Sequence, residues 1–159
     1  MGAVWCRVAR GDQPGAAPAV LPDEALAIIV HKSNPVENLS WEELRRICLV
    51  ERRQWPGSRR VTIALREPGQ AEREAVLKQV YGFTEPEFNR HFLQSTFTGE
   101  VQSAPKRLAT ALGVRRFVFN VPGALGFVRV SELDDTVKVV RLEGKAPTEP
   151  GYKLRVPIK

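Results

Sequence analysis

Two arginines on either side of a Pro-Gly turn are the residues of this sequence whose type and spacing best suit a ligand. Arg66 follows an alternating apolar run that begins at Val61, and Arg73 lies beyond the turn at Gly69. A guanidinium group presents several N–H donors in a fixed fork and favours oxyanions. Glycine lets the backbone come close to a bound group. The chemistry indicated is the non-covalent binding of a small oxyanion.

A strand, a turn and a helix must position these groups. The alternation from Val61 to Leu65 predicts a strand. After Gly69 the apolar residues recur at helical spacing, so a helix should begin at Gln70. The first N–H groups of a helix have no partner inside it, which makes Gly69, Gln70 and Ala71 candidate donors to an anion. An ordinary strand–helix unit with two solvated arginines is the alternative interpretation.

Two capping boxes predict further helices. Ser40 and Glu43 form the first, ahead of a helix from Trp41, and Thr84 and Glu87 form the second. In a capping box the side chain of each residue accepts a hydrogen bond from the backbone N–H group of the other. These two helix starts are therefore defined by local chemistry alone.

Four apolar segments predict the strands of a sheet. They are Ala25 to His31, Val61 to Leu65, Ala124 to Val130 and Val137 to Leu142. The basic residues of the last segment alternate outward, as in an edge strand. Because strands alternate with helices, the predicted fold class is α/β, with a mixed, mostly parallel sheet flanked by helices. The segment from Gly144 to Lys159 should pack back across the surface.

A third helix is predicted to start at Pro105, with Ser103 or Ala104 before it, and to run towards Phe119. In open α/β sheets, ligands collect beyond the carboxyl ends of the strands. Lys32 and Ser33 follow the first predicted strand. We therefore expect Lys32, Ser33 and Ser103 to lie beside the arginine turn and to contribute to its ligand site.

Length and composition limit the class of protein. The chain has 159 residues, a net charge of +6 and 43% hydrophobic residues, which fits one compact domain that favours anionic partners. Its apolar runs are far shorter than the roughly 20 residues of a membrane span. Residues 1–24 are interpreted as a flexible N-terminal segment or the remnant of a leader, with no visible secretory signal. Residues 25–159 form the predicted α/β domain.

Other types of site lack the residues that they need. The two histidines and two cysteines stand in no metal-binding arrangement, so no metal is expected. The sequence contains no G-x-S-x-G elbow, no Walker A motif and no G-x-G-x-x-G motif, so neither an enzyme nor a nucleotide cofactor is expected. Pairs of adjacent arginines could contact nucleic-acid phosphates, but no aromatic residues are interleaved with them.

Four blocks of the sequence resemble a known family. The first two read A-I-I-V-H-K-S-N-P-V-E-N-L-S-W-E-E-L-R-R-I and W-P-G-S-R-R-V-T-I-A-L-R-E-P-G-Q-A-E-R-E-A. The last two read N-V-P-G-A-L-G-F-V and V-K-V-V-R-L-E-G-K-A-P-T. In this order they are similar to the phosphate-binding proteins of phosphate ABC transporters, which have the type 2 periplasmic-binding-protein fold. The resemblance runs from about Ala25 to the C-terminus. It implies a single lobe of that fold.

The anion loop of that family reads R-x-x-G-S-G-T-R, and this chain matches it in part. Three positions agree, namely Arg66, Gly69 and Arg73. Three differ, with Gln70, Ala71 and Glu72 in place of Ser, Gly and Thr. The resemblance therefore implies that two hydroxyl donors are missing and that the Glu72 carboxylate faces the position of the anion. One like charge a few ångströms away weakens anion binding by about 1 to 4 kcal/mol.

Three functions are compatible with these observations. The first is a non-enzymatic solute-binding-protein-like module that binds phosphate or another small oxyanion weakly between Arg66 and Arg73, with help from Lys32, Ser33 and Ser103. The second is a ligand-free protein-interaction or assembly domain, including a homodimer. The third and weaker one is a basic nucleic-acid-binding domain. The resemblance also implies an extracytoplasmic location beside the membrane components of an ABC transporter.

Overall fold

The structure, a computed structural model, describes residues 23–57, 59–101 and 104–158. Its strands are β1 (Asp23–Val30), β2 (Asn38–Leu39), β3 (Thr62–Arg66), β4 (Lys106–Leu108), β5 (Ala124–Arg129), β6 (Lys138–Leu142) and β7 (Arg155–Pro157). Its helices are α1 (Trp41–Cys48), α2 (Ala71–Val76), α3 (Glu85–Phe97) and α4 (Ala111–Asn120), and a π-helical turn, Leu77–Tyr81, continues α2. The strands form one sheet in the order β2-β6-β1-β5-β3-β4, with β7 paired to the start of β1.

Strand direction divides this mixed sheet. β3 pairs in parallel with β4 and β5, and β2 pairs in parallel with β6. β1 is antiparallel to β5, β6 and β7. The predicted α/β class, a mixed sheet flanked by helices, is confirmed. β1 begins at Asp23, slightly earlier than expected, and residues 1–22 of the predicted N-terminal segment lie outside the described residues.

Helices cover both faces of the sheet. Ile28 and Val30 of β1 belong to the core shared with α1, α2 and α3, whereas Ile29 packs with Val114 and Val118 of α4. The central strand is therefore buried on both sides, which explains why its sequence is a continuous apolar run and not an alternating one.

Both predicted capping boxes are confirmed. The Ser40 hydroxyl accepts from the Glu43 N–H at 3.1 Å, and the Glu43 carboxylate accepts from the Ser40 N–H at 2.9 Å. At the start of α3, the Thr84 hydroxyl accepts from the Glu87 N–H at 3.3 Å, and Glu87 accepts from the Thr84 N–H at 2.8 Å. Each box supplies partners for groups that a helix terminus leaves unpaired.

The predicted start of the third helix is wrong. Lys106–Leu108, directly after Pro105, form β4, which takes main-chain hydrogen bonds from the edge of β3. α4 starts later, where the Thr110 hydroxyl accepts from the Gly113 N–H at 2.9 Å. The residue directly before Pro105 is Ala104, whose side chain cannot cap a helix, whereas the Thr110 side chain can. Ser103 lies outside the described residues.

The last two strands also differ from the prediction. β6 is not an edge strand, because Asn38–Leu39 of β2 pair along its outer side. The C-terminal segment contributes to the core, since Tyr152 and Leu154 are buried and the Tyr152 hydroxyl donates to the Leu26 carbonyl at 2.8 Å. These contacts join residues that are far apart in sequence, which local patterns do not reveal.

Candidate functional site

The predicted arginine turn forms at the end of β3. Arg66 is the last residue of β3, and α2 begins at Ala71. Gly69, in the turn, has a φ of 93°, a conformation that favours glycine. Gln70 makes no capping hydrogen bond with its side chain, and its Oε1 accepts instead from Arg66 Nη2 at 3.1 Å. The turn thus uses one of its own side chains as a partner for the arginine.

Arg66 is buried and bonded within the protein. Only 7% of the residue is exposed. Its Nη1 donates to Glu72 Oε2 at 3.1 Å, and its Nη2 donates to the Ala109 carbonyl oxygen at 2.9 Å. Ala109 follows β4, the edge strand beside β3. The guanidinium group therefore ties the turn to the edge of the sheet.

A second buried arginine, Arg129, completes the site and was missed by the sequence-based prediction. It is the last residue of β5, and β5 runs parallel to β3, so the two strands end at the same edge of the sheet. Arg129 Nε donates to Glu72 Oε2 at 2.9 Å, and Nη1 donates to Glu24 Oε1 at 3.1 Å and to the Pro157 carbonyl oxygen at 2.6 Å. The available signal was a single charged residue in an apolar segment.

The Glu72 carboxylate lies between the two guanidinium groups. The residue is 2% exposed, and its Oε2 accepts from both arginines. Burial alone would raise the pKa of Glu72, but hydrogen bonds from its own backbone N–H and from Arg129, with the charges of both arginines, hold that pKa below the ordinary value. Glu72 is therefore a carboxylate at neutral pH. The resemblance implied that this carboxylate faces the position of the anion, and in the structure it bonds to Arg66, the first arginine of the anion loop.

Arg66, Arg129, Glu72 and Glu24 form what we call the arginine cluster. Its two positive and two negative charges cancel. Because buried charges are stable only when paired, this balance accounts for the depth of the two arginines. Both arginines of the cluster therefore already have a carboxylate partner within the chain.

Arg73 points away from the arginine cluster. Its Nε and Nη2 donate to the two carboxylate oxygens of Glu85 at 2.8 and 2.7 Å, and its guanidinium carbon lies 4.8 Å from the centre of the Phe88 ring. Nη1 donates to the Arg66 carbonyl oxygen at 3.1 Å. The hydrogen bonds from Arg73 hold the pKa of Glu85 below its usual range. Arg73 joins α2 to α3.

Lys32 and Ser33 lie at the other end of the sheet, so the expectation that they meet the arginine turn is wrong. β1 is antiparallel to β5, and its last residue, Val30, pairs with Leu125 near the start of β5. The residues after β1 therefore lie beside the start of β3. There Arg59 Nη1 donates to the Ser33 hydroxyl at 3.3 Å.

Two other features bear on the type of site. Within residues 23–57, 59–101 and 104–158, no group of three or more His, Cys, Asp or Glu side chains could hold a metal ion. Over the same ranges, no helix has both the length and the apolar character needed to cross a membrane. The arginine cluster is the candidate site because it brings three buried charged side chains, Arg66, Glu72 and Arg129, into contact.

The chain is similar to several solved structures. One, from Clostridium perfringens, is assigned as a phosphate ABC transporter substrate-binding protein and was crystallised with bound phosphate; it is 22% identical with a TM-score of 0.70 over 85% of this chain and 54% of that one. An ABC-type phosphate transport receptor from Vibrio cholerae is 23% identical, with a TM-score of 0.68 over 89% and 59% of the two chains. PstS from Borrelia burgdorferi is 14% identical, with a TM-score of 0.67 over 87% and 57%.

These likenesses define the fold of the chain. It has the fold of one lobe of a periplasmic binding protein, as the resemblance in its sequence implied. The chain spans between 54% and 59% of the length of the three proteins. No family model matches the sequence, and no curated protein matches it either.

Proposed function

We propose that the protein is a non-enzymatic, solute-binding-like module that binds phosphate or another small oxyanion at most weakly, and that it acts through contacts with another protein. Its fold is that of proteins described as phosphate receptors and substrate-binding proteins. The same resemblance supports an extracytoplasmic location, near the membrane components of an ABC transporter.

The observation that carries this proposal is the position of the Glu72 carboxylate. Glu72 Oε2 lies 3.1 Å from Arg66 Nη1 and 2.9 Å from Arg129 Nε, so the two arginines that could bind an anion are already bonded to one. A free phosphate would have to break both contacts, or bind beside a like charge. Either route costs affinity, because a buried carboxylate without its partners is strongly unfavourable.

Titration calorimetry with inorganic phosphate tests the oxyanion half of the proposal. We expect no saturable heat below about 1 mM phosphate for the wild-type protein, because phosphate has to displace the bonded Glu72 carboxylate. A dissociation constant of about 1 mM corresponds to about 4 kcal/mol of binding free energy. The control is chloride at equal ionic strength. A dissociation constant in the micromolar range would overturn the proposal and restore a working phosphate receptor.

The protein-interaction half rests on an exposed apolar surface of α3. Leu93 and Phe97 are four residues apart on that helix and are 75% and 90% exposed. Large apolar side chains in such positions often mark interfaces. A second copy of the chain is the partner we favour, because an apolar patch on one helix can pack against the same patch of an identical chain across a two-fold axis.

Light scattering tests this pairing. We expect the wild-type protein to form dimers at sub-millimolar concentration, and the Leu93→Ser/Phe97→Ser variant to remain monomeric with an unchanged circular dichroism spectrum. A wild-type protein that stays monomeric at about 1 mM would exclude the homodimer, because that concentration populates even weak dimers.

A further inference from the structure

The Glu72 carboxylate accepts hydrogen bonds from only some of the N–H donors of Arg66 and Arg129. Both arginines donate to the same oxygen, Oε2. Arg66 Nε, Arg129 Nη2 and Glu72 Oε1 are buried and have no hydrogen-bond partner among the described residues. Buried polar atoms without a partner are rare in folded proteins, because each costs part of its hydration. The two guanidinium groups therefore have more donors than a tethered carboxylate can use.

We infer that Glu72 is an internal ligand that closes a latent oxyanion site, formed by Arg66 and Arg129, and that a free tetrahedral oxyanion binds there once the carboxylate is removed. The inference rests on the proposed function in one respect, namely that the site is closed in the wild-type protein. It adds the identity of the group that closes the site and the chemical class of the ligand that would replace it.

Charge supports this class of ligand. Without Glu72, the two arginines and Glu24 leave a net charge of +1 in a buried position. A buried charge of this kind is unstable without a counter-ion, so an anion that enters gains the interactions that the carboxylate made. Chloride would supply charge but only a single acceptor atom.

Hydrogen-bond geometry selects the shape of the ligand. Removing the carboxylate frees Arg66 Nη1 and Arg129 Nε, which add to the unpartnered Arg66 Nε and Arg129 Nη2. Arg129 can then donate two parallel bonds from its Nε–Nη2 edge, the arrangement that binds phosphate and carboxylate oxygens best. Arg66 can donate two further bonds, from Nε and Nη1, which point in different directions. Phosphate and sulfate have enough oxygens to accept from both arginines at once.

Two substitutions of Glu72 distinguish a site with space for an ion from a site that a neutral side chain still fills. Glu72→Ala removes the charge and leaves room for an ion, whereas Glu72→Gln removes the charge and keeps the volume of the side chain. The melting temperatures of both variants and of the wild-type protein are measured in phosphate, in sulfate and in chloride at equal ionic strength. Glu85→Ala is the matched control, since it also removes the carboxylate from a buried arginine, Arg73, which is the one arginine of the described residues bonded to Glu85.

We expect both Glu72 variants to melt below the wild-type protein in chloride. At about 100 mM phosphate or sulfate, the melting temperature of Glu72→Ala should rise by about 5 °C or more relative to chloride, because a ligand that binds only the folded state stabilises it by mass action. The wild-type protein, Glu72→Gln and Glu85→Ala should respond no more to phosphate than to chloride.

The outcomes distinguish this inference from the proposed function. If Glu72→Ala gains no more stability from phosphate or sulfate than from chloride, or fails to fold in all three, the latent site does not exist, although the wild-type protein can still be closed to phosphate. If Glu72→Ala folds only in phosphate or sulfate, the inference is supported. If instead the wild-type protein shows the same large response, the proposed closed state is wrong.

Discussion

The basic side chains at the two ends of the sheet differ in burial and in pairing. At the end where β3 and β5 finish, Arg66, Arg73 and Arg129 are buried, and each is paired with a carboxylate. At the other end, Lys32 and Arg59 are exposed, and within the described part of the chain neither forms an ion pair. At the first end, which we call the closed end, carboxylates of the same chain neutralise the arginines. At the second, which we call the open end, the basic side chains are exposed to solvent.

This difference shows that arginines at a turn do not by themselves indicate an anion site. A buried arginine has to be neutralised by its own chain or by a ligand, because water cannot reach it. An exposed arginine is neutralised by water and by salt, and its contacts are weak. The closed end should therefore control stability, and the open end should have little effect on it.

The largest effect is expected from breaking the closed end. Arg129→Met removes one of the two cations around Glu72 and leaves the buried carboxylate, and also Glu24, short of a partner. Loss of one member of a buried pair costs about 3 to 5 kcal/mol. Urea unfolding at pH 7 measures this loss of unfolding free energy.

Arg59→Met at the open end is the matched control for that substitution. It should change the unfolding free energy by no more than about 0.5 kcal/mol, since exposed side chains away from special features have small effects. Equal losses for Arg129→Met and Arg59→Met would contradict the contrast between the two ends.

A smaller effect is expected from acid. The pKa of Glu72 is below its ordinary value of 4.5 in the folded protein, so the stability that Glu72 contributes is fully present above about pH 4.5 and is lost as the pH falls through the folded pKa. Glu72→Gln lacks this contribution and should be less stable by about 2 kcal/mol at pH 7.

The difference between wild type and Glu72→Gln should therefore shrink as the pH falls below about 4.5. Urea unfolding of both proteins at a series of pH values measures it. Glu85, whose pKa is also lowered, lies outside the arginine cluster, so it titrates alike in both proteins and cancels in the difference. A difference that stays constant down to pH 3 would show that Glu72 does not interact with the arginines as a carboxylate.

The local parts of this structure could be predicted from the sequence, and the non-local parts could not. The strand, turn and helix around Gly69 and the capping boxes at Ser40 and Thr84 depend on residues within a few positions of each other. The direction of β1 depends on its pairing with β5, about a hundred residues later in the chain. Because β1 runs antiparallel to β5, Lys32 lies at the end of the sheet opposite to Arg66.

Arg129 escaped prediction for the same reason. Its partners, Glu72, Glu24 and the Pro157 carbonyl, come from three distant segments that the sheet brings together. Resemblance to the anion loop singles out Arg66 and Arg73, which are close in sequence, yet only Arg66 belongs to the arginine cluster. The same loop contains Glu72, and the fold brings Arg129, from a distant strand, to its carboxylate as a second cation.

The smallest effect is expected at the open end itself. Lys32→Ala and Ser33→Ala should each leave the unfolding free energy within about 0.5 kcal/mol of the wild type, because both side chains are exposed. Introduced into the Glu72→Ala background, they should also leave the phosphate-dependent rise in melting temperature unchanged, since β1 and β3 end at opposite edges of the sheet. A fall in that rise on removal of Lys32 would mean that phosphate acts at the exposed cations, and the stabilisation would then belong to the open end and not to the arginine cluster.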